Sequence, residues 1–206
     1  PGLAKWGERV LGIAAQRSLP VWEPRHFFNR GTMGVSAAQA LQSDKAVVLF
    51  VDTFNGHFES EIALDAFKVL NACGYDVHVA AKTTQGHGAN EGHLCCGRTY
   101  LATGLMAQAR GKAQELLGAL KPFAEKGIAI VGLEPSCLLT LRDEYLAMGL
   151  GPDAHLVSEQ SFMFEEFLAL ELKAGRIDGL KQRLKHINQP IVVHGHCHQK
   201  AHGLVP

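Results

Sequence analysis

The sequence predicts an α/β protein: a doubly wound, mostly parallel, Rossmann-like sheet with helices on both faces, preceded by an arm that is part helical and part extended. Three observations predict it. Short strand-like runs recur at 45–52, 75–81, 126–133 and 187–194; the first has an unbroken apolar centre, and a run without alternation is the mark of a strand covered on both faces. Amphipathic stretches of helical length separate most of these runs, which is the βαβ alternation. The residues best suited to chemistry fall just past the ends of the runs, and open parallel sheets bind ligands outside the carboxyl ends of their strands.

Taken in order, residues 4–16 can form a short helix with Trp6, Val10, Leu11 and Ile13 on its apolar side. Pro20 and Pro24 break it, and 25–42 reads as an extended arm lying on the main domain. The run 45–52 (KAVVLFVD) is the first strand, with Asp52, Thr53 and Asn55 in the loop after it. A helix over 59–72 follows, because Ile62, Ala63, Ala66, Phe67, Val69 and Leu70 form one stripe and Gly74 is placed to stop it. The second strand is 75–81. Its loop, 82–97, is far longer than the ~2–6 residues usual for a βα connection, and long loops in compact domains tend to be functional. A helix over 99–120, a third strand over 126–133, a helix over 138–148 and an amphipathic helix over 158–174, capped by Ser158, come next. The run at 187–194 is the fourth strand.

Composition narrows the function. The chain of 206 residues is 47% hydrophobic, enough to bury a good core. Twenty basic and twenty acidic residues balance, which excludes a bulk electrostatic grip on nucleic acid or anionic lipid. The longest apolar run, 46–51, is far short of the ~20 residues of a membrane-spanning helix, and no secretory signal is present. Five cysteines are too few for a disulfide scaffold, so the thiols point to a reducing compartment. No nucleophile elbow, P-loop, HExxH or GxGxxG occurs, so no catalytic residue is assigned and nothing here would bind FAD or a nicotinamide.

Four of the five cysteines lie in three short segments: His93-Leu94-Cys95-Cys96-Gly97-Arg98, Glu134-Pro135-Ser136-Cys137 and His194-Gly195-His196-Cys197-His198. Adjacent cysteines seldom bond to each other, because the small ring strains the peptide between them. They do present two thiolates together to a soft metal or a cluster. Cys95, Cys96 and Cys137 are therefore read as metal or cluster ligands. The competing reading is inert buried thiols, the common fate of free cysteine, and it is the one applied to Cys73. His194, His196 and His198 alternate, so on an extended segment they share one side with Cys197 on the other; imidazole with thiolate suits zinc or iron. Glu134 is a hard ligand, a base or a carboxylate at a helix start. Asp52 reads as a loop cap, Arg98 as an anion partner or a surface residue, and His87 and His93 as solvated.

The three segments resemble the cysteine-rich CCG domain family, which includes a subunit of heterodisulfide reductase. The family pattern is a cysteine, then Cys-Cys-Gly, then Cys-x-x-Cys, given as two repeats. Cys95-Cys96-Gly97 matches its centre. Glu134-Pro135-Ser136-Cys137 matches Cys-Pro-x-Cys with Glu134 in place of the first cysteine. Thr53 stands where the opening cysteine is expected, so three of the five thiol ligands of the first repeat remain. His194-Gly195-His196-Cys197-His198 looks like the opening of a second repeat. The wording DTFNGHFE, CCGRTYLATGL, VGLEPSCLLTLRDEY and VHGHCHQKA resembles the C-terminal iron–sulfur region of bacterial FAD-linked oxidases of the D-lactate, glycolate or D-2-hydroxyglutarate dehydrogenase type.

The resemblance implies an electron-transfer domain of an enzyme that oxidises a D-2-hydroxyacid to a 2-oxoacid. It implies an iron–sulfur cluster of 4Fe-4S type, or a single iron or zinc, on Cys95, Cys96 and Cys137 with Cys197, Glu134, His194, His196 or His198 completing the set. FAD and ferredoxin-like regions would lie elsewhere on the parent chain, the acceptor would be a quinone or another carrier, and the location would be cytoplasmic or peripheral on the inner membrane. The chain then divides into an arm or linker at 1–44, a first CCG-type unit at 45–186 and the start of a second repeat at 187–206, a piece of a longer polypeptide that would not turn over substrate alone. A structural zinc module and a thiol-redox module are the alternatives.

Overall fold

The computed structural model describes residues 2–17, 21–31, 33–81, 92–185 and 188–204. The order of elements is α1 (Gly2–Leu11), a 3₁₀ turn (Phe27–Asn29), α2 (Ala37–Ala40), β1 (Ala46–Phe50), α3 (Thr53–His57), α4 (Ser60–Ala72), β2 (Asp76–Val79), α5 (Arg98–Ala102), α6 (Met106–Ala124), β3 (Ile130–Gly132), α7 (Pro135–Arg142), α8 (Glu144–Ala147), α9 (Pro152–Glu159), β4 (Ser161–Met163), α10 (Phe164–Lys173), α11 (Gly179–Arg183) and α12 (Cys197–Ala201). Among the described residues the sheet has four strands in the order β2-β1-β3-β4, all parallel. The α/β class read from the sequence is the observed one.

β1 explains the unbroken apolar run. Side chains alternate across a strand, and here both faces are covered. Val48 and Phe50 join Leu116, Leu120, Leu138 and Val157 in one core. Val47, Leu49 and Val51 join Ala63, Leu70, Val77, Val131 and Phe167 in the other. Burying both sets against helices is the arrangement of a doubly wound sheet.

The fourth strand is where the sequence reading and the structure part. The run at 187–194 makes no strand among its described residues; Ile191, Val192 and Val193 are 73%, 94% and 71% exposed. β4 lies instead inside the stretch read as one helix over 158–174, between α9 and α10. Only three residues long, it carries no period that a sequence pattern could detect. Tertiary contact makes it: the Ile130 N–H donates to the Gln160 carbonyl at 2.7 Å, and Ser161 and Met163 are 1% exposed. Ser158 sits within α9 and caps nothing; α10 begins with the Glu166 carboxylate accepting from the Met163 N–H at 3.1 Å.

Two other helices are divided. The one expected at 99–120 is α5 and α6, parted at 103–105, and α6 runs on through Pro122 to bury Phe123 and Ala124. The one expected at 138–148 is α7 and α8, parted at Asp143. The arm does lie on the domain: Phe27 and Ala40 are buried, and the Val35 N–H donates to the Val77 carbonyl at 2.9 Å beside the Gly34–His78 bridge. α1 buries no residue.

Candidate functional site

In the order β2-β1-β3-β4 the chain leaves β1 toward β2 on one side and later returns to place β3 on the other. The crevice outside the ends of β1 and β3 is therefore the topological switch point, where such sheets bind ligands. Asp52 and Thr53 follow β1 directly, and Glu134 to Cys137 follow β3. The loop after β2 brings Cys95 and Cys96 back to the same place.

The local chemistry of each piece is legible. Asp52 is a buried helix cap, accepting from the N–H groups of Phe54 and Asn55 at 2.8 and 3.1 Å and from the Asn55 amide; burial raises its pKa despite these bonds. Gly97 has φ +80°, and a Cβ there would lie 3.1 Å from both the Ala109 carbonyl oxygen and Lys112 Cβ. A side chain would thus be both strained and crowded, which is the reason a glycine follows the two cysteines. The backbone that turns at Gly97 gives its N–H to Cys95 Sγ at 3.5 Å. Behind Cys96 the fully buried Tyr145 donates its hydroxyl to the Cys96 carbonyl at 2.8 Å. Cys137 lies in the first turn of α7, whose cap is the Glu134 carboxylate, accepting from the Ser136 N–H at 3.1 Å. Glu134 therefore takes the helix-start role among those the sequence allowed.

The thiols form a chain. Cys95 hydrogen-bonds Cys96, and Cys96 hydrogen-bonds Cys137. Donation to Cys96 and then burial push the Cys95 thiol well up; donation to Cys137 is the main influence that pushes Cys96 up to about 12. Thr53, at the position of the missing family cysteine, donates to Cys95, and its Oγ1 lies 3.2 Å from His93 Nε2. His93, read as solvated, is half-buried.

Of the His/Cys segment, one residue reaches this site. His198 Nε2 accepts from Arg98 at 3.2 Å, and Arg98 also pairs with Glu144. Burial first, then the Arg98 charge, holds the His198 pKa below its usual value. His196 caps α12 by accepting from the His198 N–H at 3.2 Å. Cys197 and His194 are exposed, with Cys197 Sγ 3.9 Å from His196 Nδ1. Cys73 is buried at the end of α4, as a core thiol. His87 lies outside the described residues. Tyr145 and the Thr53–His93 link had no signal in the sequence, since both depend on elements that meet only in the fold.

The donor set suits a soft metal in kind: three thiols in mutual reach in series, with Tyr145 and Thr53 behind them. It is not drawn together as a closed site, because among the described residues no group of three or more His, Cys, Asp or Glu is arranged to hold a metal ion.

The fold and this crevice define an α/β domain with a thiol site at its switch point. No family model matches the chain, and no solved structure matches it. No helix among the described residues is long and apolar enough to cross a membrane.

Exposure orders the thiols. Cys197, the exposed thiol, is expected to be alkylated by iodoacetamide first at pH 7.5, and Cys95, Cys96 and Cys137 only on unfolding. Mass spectrometry of a time course checks this, and early labelling of Cys96 would contradict the burial described.

Proposed function

We propose that this chain is a thiolate metal- or cluster-binding α/β domain serving electron transfer, with Cys95, Cys96 and Cys137 as the ligands. The observation that carries the reading is the meeting of these three thiols, from the loops after β2 and β3, at the switch point. An iron–sulfur cluster or a single iron supplies a redox couple when bound, whereas zinc supplies fixed geometry alone. The chain's own part is to hold the ligands. Gly97 turns Cys95 and Cys96 inward, Tyr145 anchors the Cys96 carbonyl, and the first turn of α7 holds Cys137 beside them. Cys197, Glu134, His194, His196 and His198 are the proposed completing ligands. Of these, His198 is the one within reach of Arg98 at the rim of the crevice, and Arg98 must release it first.

The resemblance to FAD-linked oxidases carries the reading further: the domain passes electrons from a flavin that oxidises a D-2-hydroxyacid, on a parent chain, to a quinone or another acceptor, in the cytoplasm or at the inner membrane. A structural zinc site is the second reading, favoured by the small number of thiols. Thiol exchange is the weaker one, because Cys95 and Cys96 are held in the unreactive protonated form at neutral pH.

The test is iron, zinc and acid-labile sulfide analysis of anaerobically purified chain, with EPR spectra before and after dithionite. Iron with sulfide and a reducible signal supports electron transfer; stoichiometric zinc without a signal makes the site structural. Turnover of a 2-hydroxyacid by these 206 residues alone would overturn the assignment of no catalytic residue. The raised thiols also set a pH dependence. Below its pKa a bound thiol must lose a proton, so zinc affinity should rise about tenfold per pH unit for each of Cys95 and Cys96, approaching a hundredfold for the two. Competition titrations at pH 6, 7 and 8 measure the slope, and a flat profile excludes these ligands.

A further inference from the structure

A second site adjoins the first. Between the arm and the ends of β1 and β2 lies a cavity of about 240 Å³, walled by Phe27, Phe28, Asn29, Met33, His57 and His93, with the end of β2 as its floor. The walls are aromatic and interlocked. Phe28 stands 5.7 Å from Phe27, 5.3 Å from His57 and 5.4 Å from His93, and the two histidines cross at 5.0 Å and 86°. Gly56 is what admits the Phe28 ring, since a Cβ there would lie 2.2 Å from Phe28 Cε2.

Two features suit this cavity to a ligand of one kind. Its described lining residues include no Lys, Arg, Asp or Glu. Of the arm's charges, Arg30 pairs with Glu61 and Glu23 accepts from Ser60. None of the described lining residues balances a carboxylate, a phosphate or an ammonium. The polar side chains of the described lining are Asn29 and two imidazoles, and burial first, then His93 and His26, lower the pKa of His57. A neutral imidazole offers one N–H and one lone pair, the complement of a hydroxyl or a carbonyl. The cluster is also poorly satisfied from within. His26 and His57 pack at 4.7 Å, and Nδ1 of each is buried without a hydrogen-bond partner. Phenylalanine would fill such a core at no polar cost, so the histidines have a reason other than packing.

We propose that this cavity binds a small uncharged aromatic molecule carrying a hydroxyl or carbonyl group, its ring against Phe27 and Phe28 and its oxygen toward His57 and His93. The space is below the ~300–1,000 Å³ of drug-sized sites, which limits the ligand to about one ring. His93 touches Thr53, and Thr53 touches Cys95, so the bound ring lies one side chain away from the thiol site. The proposal does not require that site to hold a metal.

The experiment uses the whole 206-residue chain without added metal and three probes of similar shape: phenol, toluene and benzoate. The imidazole C–H resonances of His57 and His93, assigned from His57→Phe and His93→Phe, report binding by NMR. Phenol is expected to shift both saturably, with toluene and benzoate each about tenfold weaker or worse. His57→Phe should weaken phenol by a similar factor, read at His93. Ala81→Leu, which fills the lining at Ala81, should abolish binding while the far-UV circular dichroism is unchanged. No saturable shift with phenol overturns the proposal. So does equal binding of toluene, which would reduce the cavity to an apolar hole, or unchanged phenol binding in His57→Phe. If Ala81→Leu misfolds, His57→Phe and the toluene comparison decide. Metal analysis is a separate measurement, so failure here leaves the thiol reading standing.

Discussion

Cys96→Ser is expected to weaken zinc or iron retention by roughly a hundredfold or more. Loss of a supporting contact around a metal already costs ~10–100-fold, and Cys96 is the middle of the thiol chain, bonded to Cys95 on one side and Cys137 on the other. Serine keeps the size and the hydrogen bond but offers an oxygen where a soft ligand is wanted. Competition against a chromophoric chelator measures the change. Cys73→Ser, remote in the other core, should leave affinity unaltered. If Cys96→Ser holds metal as tightly as the parent chain, the three thiols are core residues and the reading of the site fails. Cys197→Ser adds a further decision: a loss of similar size would mean that α12 swings in to complete the ligand set, because Cys197 is exposed as the chain stands.

Gly97→Ala is expected to cost about 2–3 kcal/mol in stability. A residue with a Cβ pays roughly 1–2 kcal/mol in the left-handed region, and here the added atom also meets Ala109 and Lys112 at 3.1 Å, one of them backbone that cannot turn away. For a chain of this size the melting temperature should fall by about 4–12 °C. Urea unfolding followed by circular dichroism provides the number. Gly118→Ala is the matching control: it lies within α6, nothing stands within 4 Å of the new Cβ, and helix propensity predicts a gain of about 0.5–1 kcal/mol. Equal effects at the two positions would mean that Gly97 is not held as described, and the close approach of the Cys-Cys-Gly turn to α6 would go with it.

The two positions differ in how far sequence reasoning could go. Gly118 is a helical glycine by pattern alone. Gly97 could be suspected from its place after two cysteines, but the surface it presses on belongs to α6, and only the fold supplies that neighbour. The same division runs through the site. Cys95, Cys96 and Cys137 were recognisable because a thiol is rare and adjacent thiols rarer. Tyr145 was not, because a tyrosine on a helix is ordinary until its hydroxyl reaches the Cys96 carbonyl. His93 looked like one of several loop histidines, and its burial comes from Phe28 and His57, which lie on other elements.

The α/β class, the strands β1, β2 and β3, and the gathering of chemistry at their carboxyl ends were all written in the order of residues. They follow from local rules: an unbroken apolar run must be covered on both faces, and parallel strands joined by helices must place their following loops on one edge. Which segment closes the sheet was settled only in the folded chain. Ile191, Val192 and Val193 have the stronger strand composition but stay exposed, while Ser161–Met163, with almost no pattern, becomes β4. A strand at a sheet edge is made by the hydrogen bonds its neighbour has to offer and by the burial waiting on either side, and β3 offers both to β4. Neither quantity is written in the segment itself.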